Sequence, residues 1–446
     1  MPKKSLHRFT ILLLALCIGV ALLWGVKIGN SVPGGVIGFQ GVYYGTRCLL
    51  SHCDPYQEDQ LVRHYQAEGR ALPSDSIQRR KAVTLYVNLP TTFLFIAPFA
   101  LLSWAPAQAL WVMLLVGLFF TASLLAWKTA ADRSPGVAVL LTGLILITSE
   151  VVFGTGNTAG LVVSLSVIAV WSFLSEAIPV VGVLCFAAAL AIKPHDAGLL
   201  WLFFLLMGGR HRKRALQSLA ITLALMLVAV TWLTRIAPYW LTEMRANLAA
   251  ISLPGGLNQP GLSSMTGHTA AMVIDLQAVT SEIWNNPRAY NLASYLVCGV
   301  LIIIWAFTTL RSGFSMRNAW LAIATAVPLT LLITYHRPYD AKLLLLTIPA
   351  CAILWAEGGR RGWLSLAVTT AAIVCTGDFF LAALTHITRH LDFSGVSPAR
   401  RIFVSVIAQP VPLILLALAV FYLSIYVQEA RKLGSLAGAG ARSVPA

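Results

Sequence analysis

The chain has 446 residues, 58% of them hydrophobic and 11% charged, whereas a soluble domain carries roughly a quarter charged residues. So much apolar side chain excludes a water-soluble core, and continuous apolar runs without period-2 alternation exclude a β-barrel, which leaves an all-α polytopic membrane protein. The net charge of +15 lies largely in short loops, where the positive-inside rule explains it without a nucleic-acid partner.

Lys3, Lys4 and Arg8 precede an apolar run over 9–29. It resembles a signal peptide but is long enough to span a bilayer and shows no convincing cleavage site, so it reads as a retained first helix. A long loop, 30–105, follows. Within it 36–50 and 56–70 are expected to be short helices on the membrane surface. The piece 92–104, between Pro90 and the second span and containing Pro98, is too short to cross and is expected to be re-entrant or interfacial. Further spans are expected at 106–127, 136–153, 158–175, 178–194, 196–208, 214–236, 290–310, 318–335, 340–356, 362–386 and 409–430. The run 196–208 is short, and tilting or a break would accommodate it. A bundle of about 12 transmembrane helices results, one domain over 1–433, with a disordered cytoplasmic tail over 434–446.

Basic residues fall at every second junction: Lys128 and Arg133, Arg210 to Arg214, Arg311 and Arg317, Arg360 and Arg361, Arg431 and Lys432. That side is the cytoplasm, so both termini are expected there. The opposite face carries the long loops 30–105 and 237–289, the segment 387–408 and three polar turns. Cys48 and Cys53 share the first outer loop and are able to bridge if that side is oxidising. Cys17, Cys185, Cys298, Cys351 and Cys375 lie in apolar runs and suit core packing. No metal-ligand spacing such as C-x-x-C is present.

The outer turns hold the residues with chemistry. Lys193-Pro-His-Asp196 closes one span. A lone Lys there would simply snorkel, but Pro194 fixes the turn and His195 and Asp196 follow, a combination suited to an anion. Tyr335-His-Arg-Pro-Tyr-Asp340 closes another span. His336 and Arg337 can donate to phosphate, while the bland reading is an Arg337–Asp340 pair capping a loop. Tyr339 and Asp340 complete this turn, and Lys342 follows on the next span. Asn157, in Gly154-Thr-Gly-Asn157, suits a helix cap or a sugar hydroxyl. The first outer loop offers Tyr43 and Tyr44 and the carboxylates Asp54, Glu58 and Asp59. A carboxylate near a cationic pocket suits a general base, and Asp54-Pro55 equally suits turn initiation. Glu150 and Asp378, inside apolar runs, are second-tier candidates.

The order of these features resembles the membrane glycosyltransferases of the GT-C fold. It runs through Tyr-Tyr44, Asp54-Pro-Tyr56, Tyr86-x-x-x-Pro90, Ala97-Pro98, Gly-x-Asn157 and Ala191-Ile-Lys-Pro194. It is most similar to glycosyltransferase family 87, the polyprenyl-phosphate-mannose-dependent α-mannosyltransferases. The resemblance implies a GT-C-like bundle that moves a hexose, often mannose, from a polyprenyl-phosphate-sugar donor. The acceptor would be an extracytoplasmic glycan or glycolipid. Lys193 and His336 would hold the lipid phosphate. The expected reaction is inverting and metal-independent, with no cofactor. Lys193, His336 and Arg337 would stabilise the leaving phosphate, and Asp54 is the first choice of base, with Glu58 and Asp59 behind it. Tyr43, Tyr44, Asn157, His195, Asp196, Tyr339 and Asp340 are expected to line the substrate. Tyr239, Trp240, Trp284 and Tyr290 offer stacking faces, with an interfacial belt the plainer role for Trp240 and Tyr290. The family usually places an Asp about four residues before the first-loop tyrosine, where this chain has Phe39 and Gln40. That departure leaves a lipid-linked-sugar flippase or an inactive envelope-assembly scaffold as alternatives.

Overall fold

In the computed structural model the described residues are 10–20, 23, 36–68, 85–253, 258–260, 273–284, 286–388, 403, 406–407 and 409–441. Among them the chain is all-helical, with no strand. The helices, in chain order, begin with α1 (Thr10–Val20), α2 (Ile37–Leu50), α3 (Glu58–Ala67) and α4 (Thr91–Ala100). Next come α5 (Trp104–Ala131), α6 (Pro135–Ile147), α7 (Glu150–Thr155), α8 (Thr158–Ser175), α9 (Pro179–Ile192) and α10 (Pro194–Met207). Then follow α11 (Gly209–Ile236), α12 (Trp240–Ser252), α13 (Gln277–Ile283), α14 (Pro287–Arg311) and α15 (Met316–Ile333). A 3-10 segment, Asp340–Thr347, leads into α16 (Ile348–Glu357), and α17 (Gly359–Cys375), α18 (Asp378–Thr388) and α19 (Val411–Ala441) complete the order.

Seven stretches are individually long and apolar enough to cross a membrane: α5, α6 with α7, α8, α11, α14, α15 and α19 to Lys432. The chain is therefore a multi-pass membrane protein. The expected run 178–194 is the 14-residue α9, and 196–208 is the 14-residue α10. At 1.5 Å per residue each is about 21 Å long, short of a hydrocarbon core about 30 Å thick. The expected span 340–356 is a 3-10 turn running into α16, and 362–386 is divided between α17 and α18 at Thr376 and Gly377. The piece 92–104 forms α4, with Pro98 inside it. Residues 434–441, expected as unstructured tail, continue α19. Much of the expected 9–29 span and of 387–408 lies outside the described residues.

The core is built on α15, whose residues from Asn318 to Leu332 are all buried. On α5 the buried positions Ala107, Trp111, Leu115, Phe119, Ala122 and Ala126 recur every three or four residues, one stripe of an otherwise lipid-facing helix. A second cluster gathers the first outer loop: Phe39 stacks on Trp111 at 4.8 Å, and Tyr86 on Phe93 at 4.9 Å. At the end carrying the basic junctions, Arg317 pairs with Glu357 at 2.6 Å and Glu429 at 3.0 Å. Arg361 also reaches Glu429, at 3.5 Å. These partly exposed pairs tie α15, α16, α17 and α19 together, each contributing modestly.

Candidate active site

The site forms where three non-helical turns meet. The first lies between α9 and α10, where Pro194 at the first helical position forces a fresh start. Lys193 thus caps two helices and projects between them. The second turn, 334–339, follows α15. Lys193 forms ion pairs with both Asp196, at 3.1 Å, and Asp340. Asp340 also accepts the backbone N–H of Arg337, at 2.8 Å, which closes the second turn on itself. Tyr339 lies under the ammonium, its ring centroid 5.6 Å from Nζ.

His336 is fully buried, with its Nε2 3.0 Å from Asp196 Oδ1 and its Nδ1 2.7 Å from the Thr334 carbonyl. A carbonyl only accepts, so Nδ1 carries a proton; bonding to the carboxylate needs a second proton on Nε2. Burial disfavours that charge, but the Asp196 carboxylate outweighs it and raises the imidazole pKa. Lys193 follows the same pattern: burial works against the ammonium, and Asp196 and Asp340 more than restore it. Arg337 donates from Nε to the Tyr335 hydroxyl and lies over that ring. Three cations thus face two carboxylates, a net charge of about +1. His195, 39% exposed, stands where this buried cluster meets solvent, 3.6 Å from Asp196 Oδ1.

The third turn, 273–276, escapes a motif search. Ile274 N–H bonds the His336 carbonyl at 3.1 Å, and Leu276 N–H bonds the Leu332 carbonyl at 3.1 Å. Asp275, 1% exposed, accepts from Ala278 N–H at 3.3 Å and faces His336. Burial pushes its carboxyl up to about 7 against the pull of His336 and the neighbouring amides. The signal in the sequence was an isolated Asp inside Met272-Val-Ile-Asp-Leu276. Thr91 was also missed: its hydroxyl donates to the Ala191 carbonyl and fastens α4 beside Lys193.

The other expected site residues lie elsewhere. Asp54, 5% exposed, accepts the Tyr56 N–H at 2.9 Å, while its own N–H donates to Gln60 at 2.8 Å. Burial, and then Glu243 from α12, raise its pKa. Gln57 donates to Glu243 at 2.8 Å, so this cluster joins the two outer loops. Glu58 and Asp59 are exposed in the first turn of α3, where they complement the helix dipole. Tyr43 and Tyr44 are packing residues of the aromatic cluster, and Tyr43 donates to the Leu102 carbonyl at 2.7 Å. Asn157 caps α8 by accepting from Ala159 N–H at 2.9 Å. Glu150, Asp378 and Lys342 make a separate buried group: Asp378 accepts Val151 N–H at 2.8 Å, and Lys342 donates to the Thr148 carbonyl. Cys48 and Cys53 are joined, with Cα atoms 4.9 Å apart.

The two clustered turns come from sequence positions far apart, and the comparison with known families covers most of what lies between them. The model of glycosyltransferase family 87 matches residues 86–335, more than half of the chain. The chain belongs to glycosyltransferase family 87. No curated protein and no solved structure matches it. The matched region of this glycosyltransferase includes Thr91, Asn157, Lys193, Asp196 and Asp275, and ends one residue before His336. Phe39, near the place of the family's usual carboxylate, is fully buried between Trp104 and Trp111. Beside it Gly38 has no room for a side chain: a Cβ there would lie 2.9 Å from Asn157 Cα and from the Thr155 carbonyl oxygen.

Proposed function

We propose that this protein transfers a hexose, mannose first among the candidates, from a polyprenyl-phosphate-sugar to an extracytoplasmic glycan or glycolipid, with inversion. The observation carrying this reading is the convergence of Lys193 and His336 on two buried carboxylates, with the Arg337 guanidinium beside them on Tyr335, at the end opposite the basic junctions. A preorganised cationic cluster favours the charge that develops on a departing phosphate. The donor diester carries about one negative charge and the released monoester closer to two, so a net positive site favours the product side of bond cleavage.

The acceptor hydroxyl oxygen would form the new bond to the anomeric carbon while the bond from that carbon to the phosphate oxygen breaks. The electron pair leaves with the polyprenyl phosphate, and the hydroxyl proton passes to a base. Asp54 is the proposed base. Its cluster with Glu243 joins both outer loops, and its raised pKa makes it a better proton acceptor than an ordinary carboxylate. The lipid tail would lie between helices within the bilayer, with the site facing outward and both termini inside. Thr91 and Asp275 are positioning groups that hold the Lys193 and His336 turns.

The test is transfer of labelled sugar from the donor by purified protein in proteoliposomes. Lys193→Met and Asp54→Asn should each abolish the product. Product that persists in Asp54→Asn would move the base elsewhere. Donor that crosses the bilayer without transfer would support the flippase instead.

A further inference from the structure

We propose that His195, Asp196 and His336 bind one divalent transition-metal cation, for which Zn2+ is the best match. Their ligand atoms all lie within 4.8 Å of one another. The arrangement around Asp196 is divided by oxygen: Oδ2 faces Lys193 at 3.1 Å, while Oδ1 faces both imidazoles, at 3.0 Å to His336 Nε2 and 3.6 Å to His195 Nε2. Two ligands at about 2.1 Å from a tetrahedral zinc are about 3.4 Å apart, a spacing the two distances bracket. The rings stand at 62° with centroids 5.2 Å apart, so they converge without stacking face to face.

The support given to His336 fits a metal ligand, while Lys193, paired with Asp196 at 3.1 Å, works against the added charge. His336 Nδ1–H is committed to the Thr334 carbonyl at 2.7 Å. That bond, the usual outer support of a metal-bound histidine, keeps the Nδ1 proton in place, so Nε2, which bears a proton toward Asp196 when no metal is bound, is the nitrogen left to a metal. Two imidazoles and one carboxylate suit zinc better than magnesium or calcium, which prefer all-oxygen sites. Three protein ligands leave a position open, and the partly exposed His195 provides the entry path. A metal at this point takes the place of the Nε2 proton, which passes to solvent. The net charge of the cluster then rises from about +1 to about +2, a match for a phosphate monoester. Only this last use, holding the donor phosphate, rests on the function proposed above. The site departs from the metal-independent reaction expected from the sequence.

The test is a calorimetric titration of full-length, chelator-treated protein in detergent with zinc chloride, and in parallel with manganese and magnesium chloride, in the absence of any sugar donor. The expected result is one zinc per chain, with magnesium at least tenfold weaker. His195→Ala, at a partly exposed position, and Asp196→Asn should each weaken zinc binding at least tenfold. Zinc should raise the unfolding temperature of the wild type and not of His195→Ala. Absence of stoichiometric zinc in the wild type, or equal affinity in His195→Ala, would overturn the site. Because no donor is present, a failure of sugar transfer would count against the proposed reaction and not against the metal.

Discussion

Replacing Lys193 with methionine keeps the length of the side chain and removes its charge. The wild-type ammonium lies between Asp196 and Asp340, whose side chains are 0% and 1% exposed, while the lysine itself is 18% exposed. Breaking a buried ion pair by removing one partner costs about 3–5 kcal/mol. His336 still faces Asp196 in the variant and the lysine is partly solvated, so the cost should sit near the low end, about 3 kcal/mol. Most of that cost is the orphaned Asp340 carboxylate. Adding Asp340→Asn should therefore restore about 2 kcal/mol, a coupling within the range of contacting residues. Denaturant titration of purified protein, followed by helical circular dichroism, measures both values. Sugar transfer should be absent in both variants, because neither returns the cation. If Lys193→Met were as stable as the wild type, the ion pairs would not be formed and the account of the site would be wrong. If the double variant were less stable than Lys193→Met, the orphaned-carboxylate argument would fail.

Three other perturbations have definite signs. Gly156 has φ +57°, and an added Cβ would lie 1.9 Å from Val36 Cγ1. Gly156→Ala should destabilise by at least about 2 kcal/mol from backbone strain and contact, with partial rescue by Val36→Ala, read by thermal unfolding. The Asp54 carboxyl titrates at about 7 in the folded chain, raised by burial and then by Glu243. A raised acid pKa means that the folded state holds the proton more tightly. Its contribution to stability is therefore full below the ordinary carboxylate pKa of 3.8 and is lost as pH rises through about 7. Asp54→Asn should flatten that fall in a pH series of unfolding measurements. Alkylation after denaturation, without reductant, followed by mass spectrometry, should label Cys17, Cys185, Cys298, Cys351 and Cys375 and spare Cys48 and Cys53. Labelling of the latter pair in membranes would contradict an oxidising outer face.

The multi-pass class was legible because apolar runs bounded by basic clusters report it directly. Individual boundaries were less so. The junction at Lys193 and Pro194 was visible, but the break at Thr376 and Gly377 lies inside an unbroken apolar pattern. Two polar turns with concentrated charge, Lys193 to Asp196 and Tyr335 to Asp340, were recognisable and the structure brings them together. Asp275 and Thr91 were not, because each works through backbone groups: a carboxyl accepting an amide, a hydroxyl donating to a carbonyl. No side-chain pattern records such bonds. Tyr43 and Tyr44 illustrate the opposite difficulty. A paired aromatic motif looks the same whether it lines a site or fills a core, and here the packing against Trp104 places both in the core.

The most direct test of the account is transfer from a radiolabelled polyprenyl-phosphate-mannose by the purified protein in proteoliposomes supplied with an extract of host lipids and glycans. The account predicts a labelled product in the wild type and none in Lys193→Met stabilised by Asp340→Asn. Undiminished product from that stable variant would contradict a phosphate-holding role for Lys193, and with it the central claim.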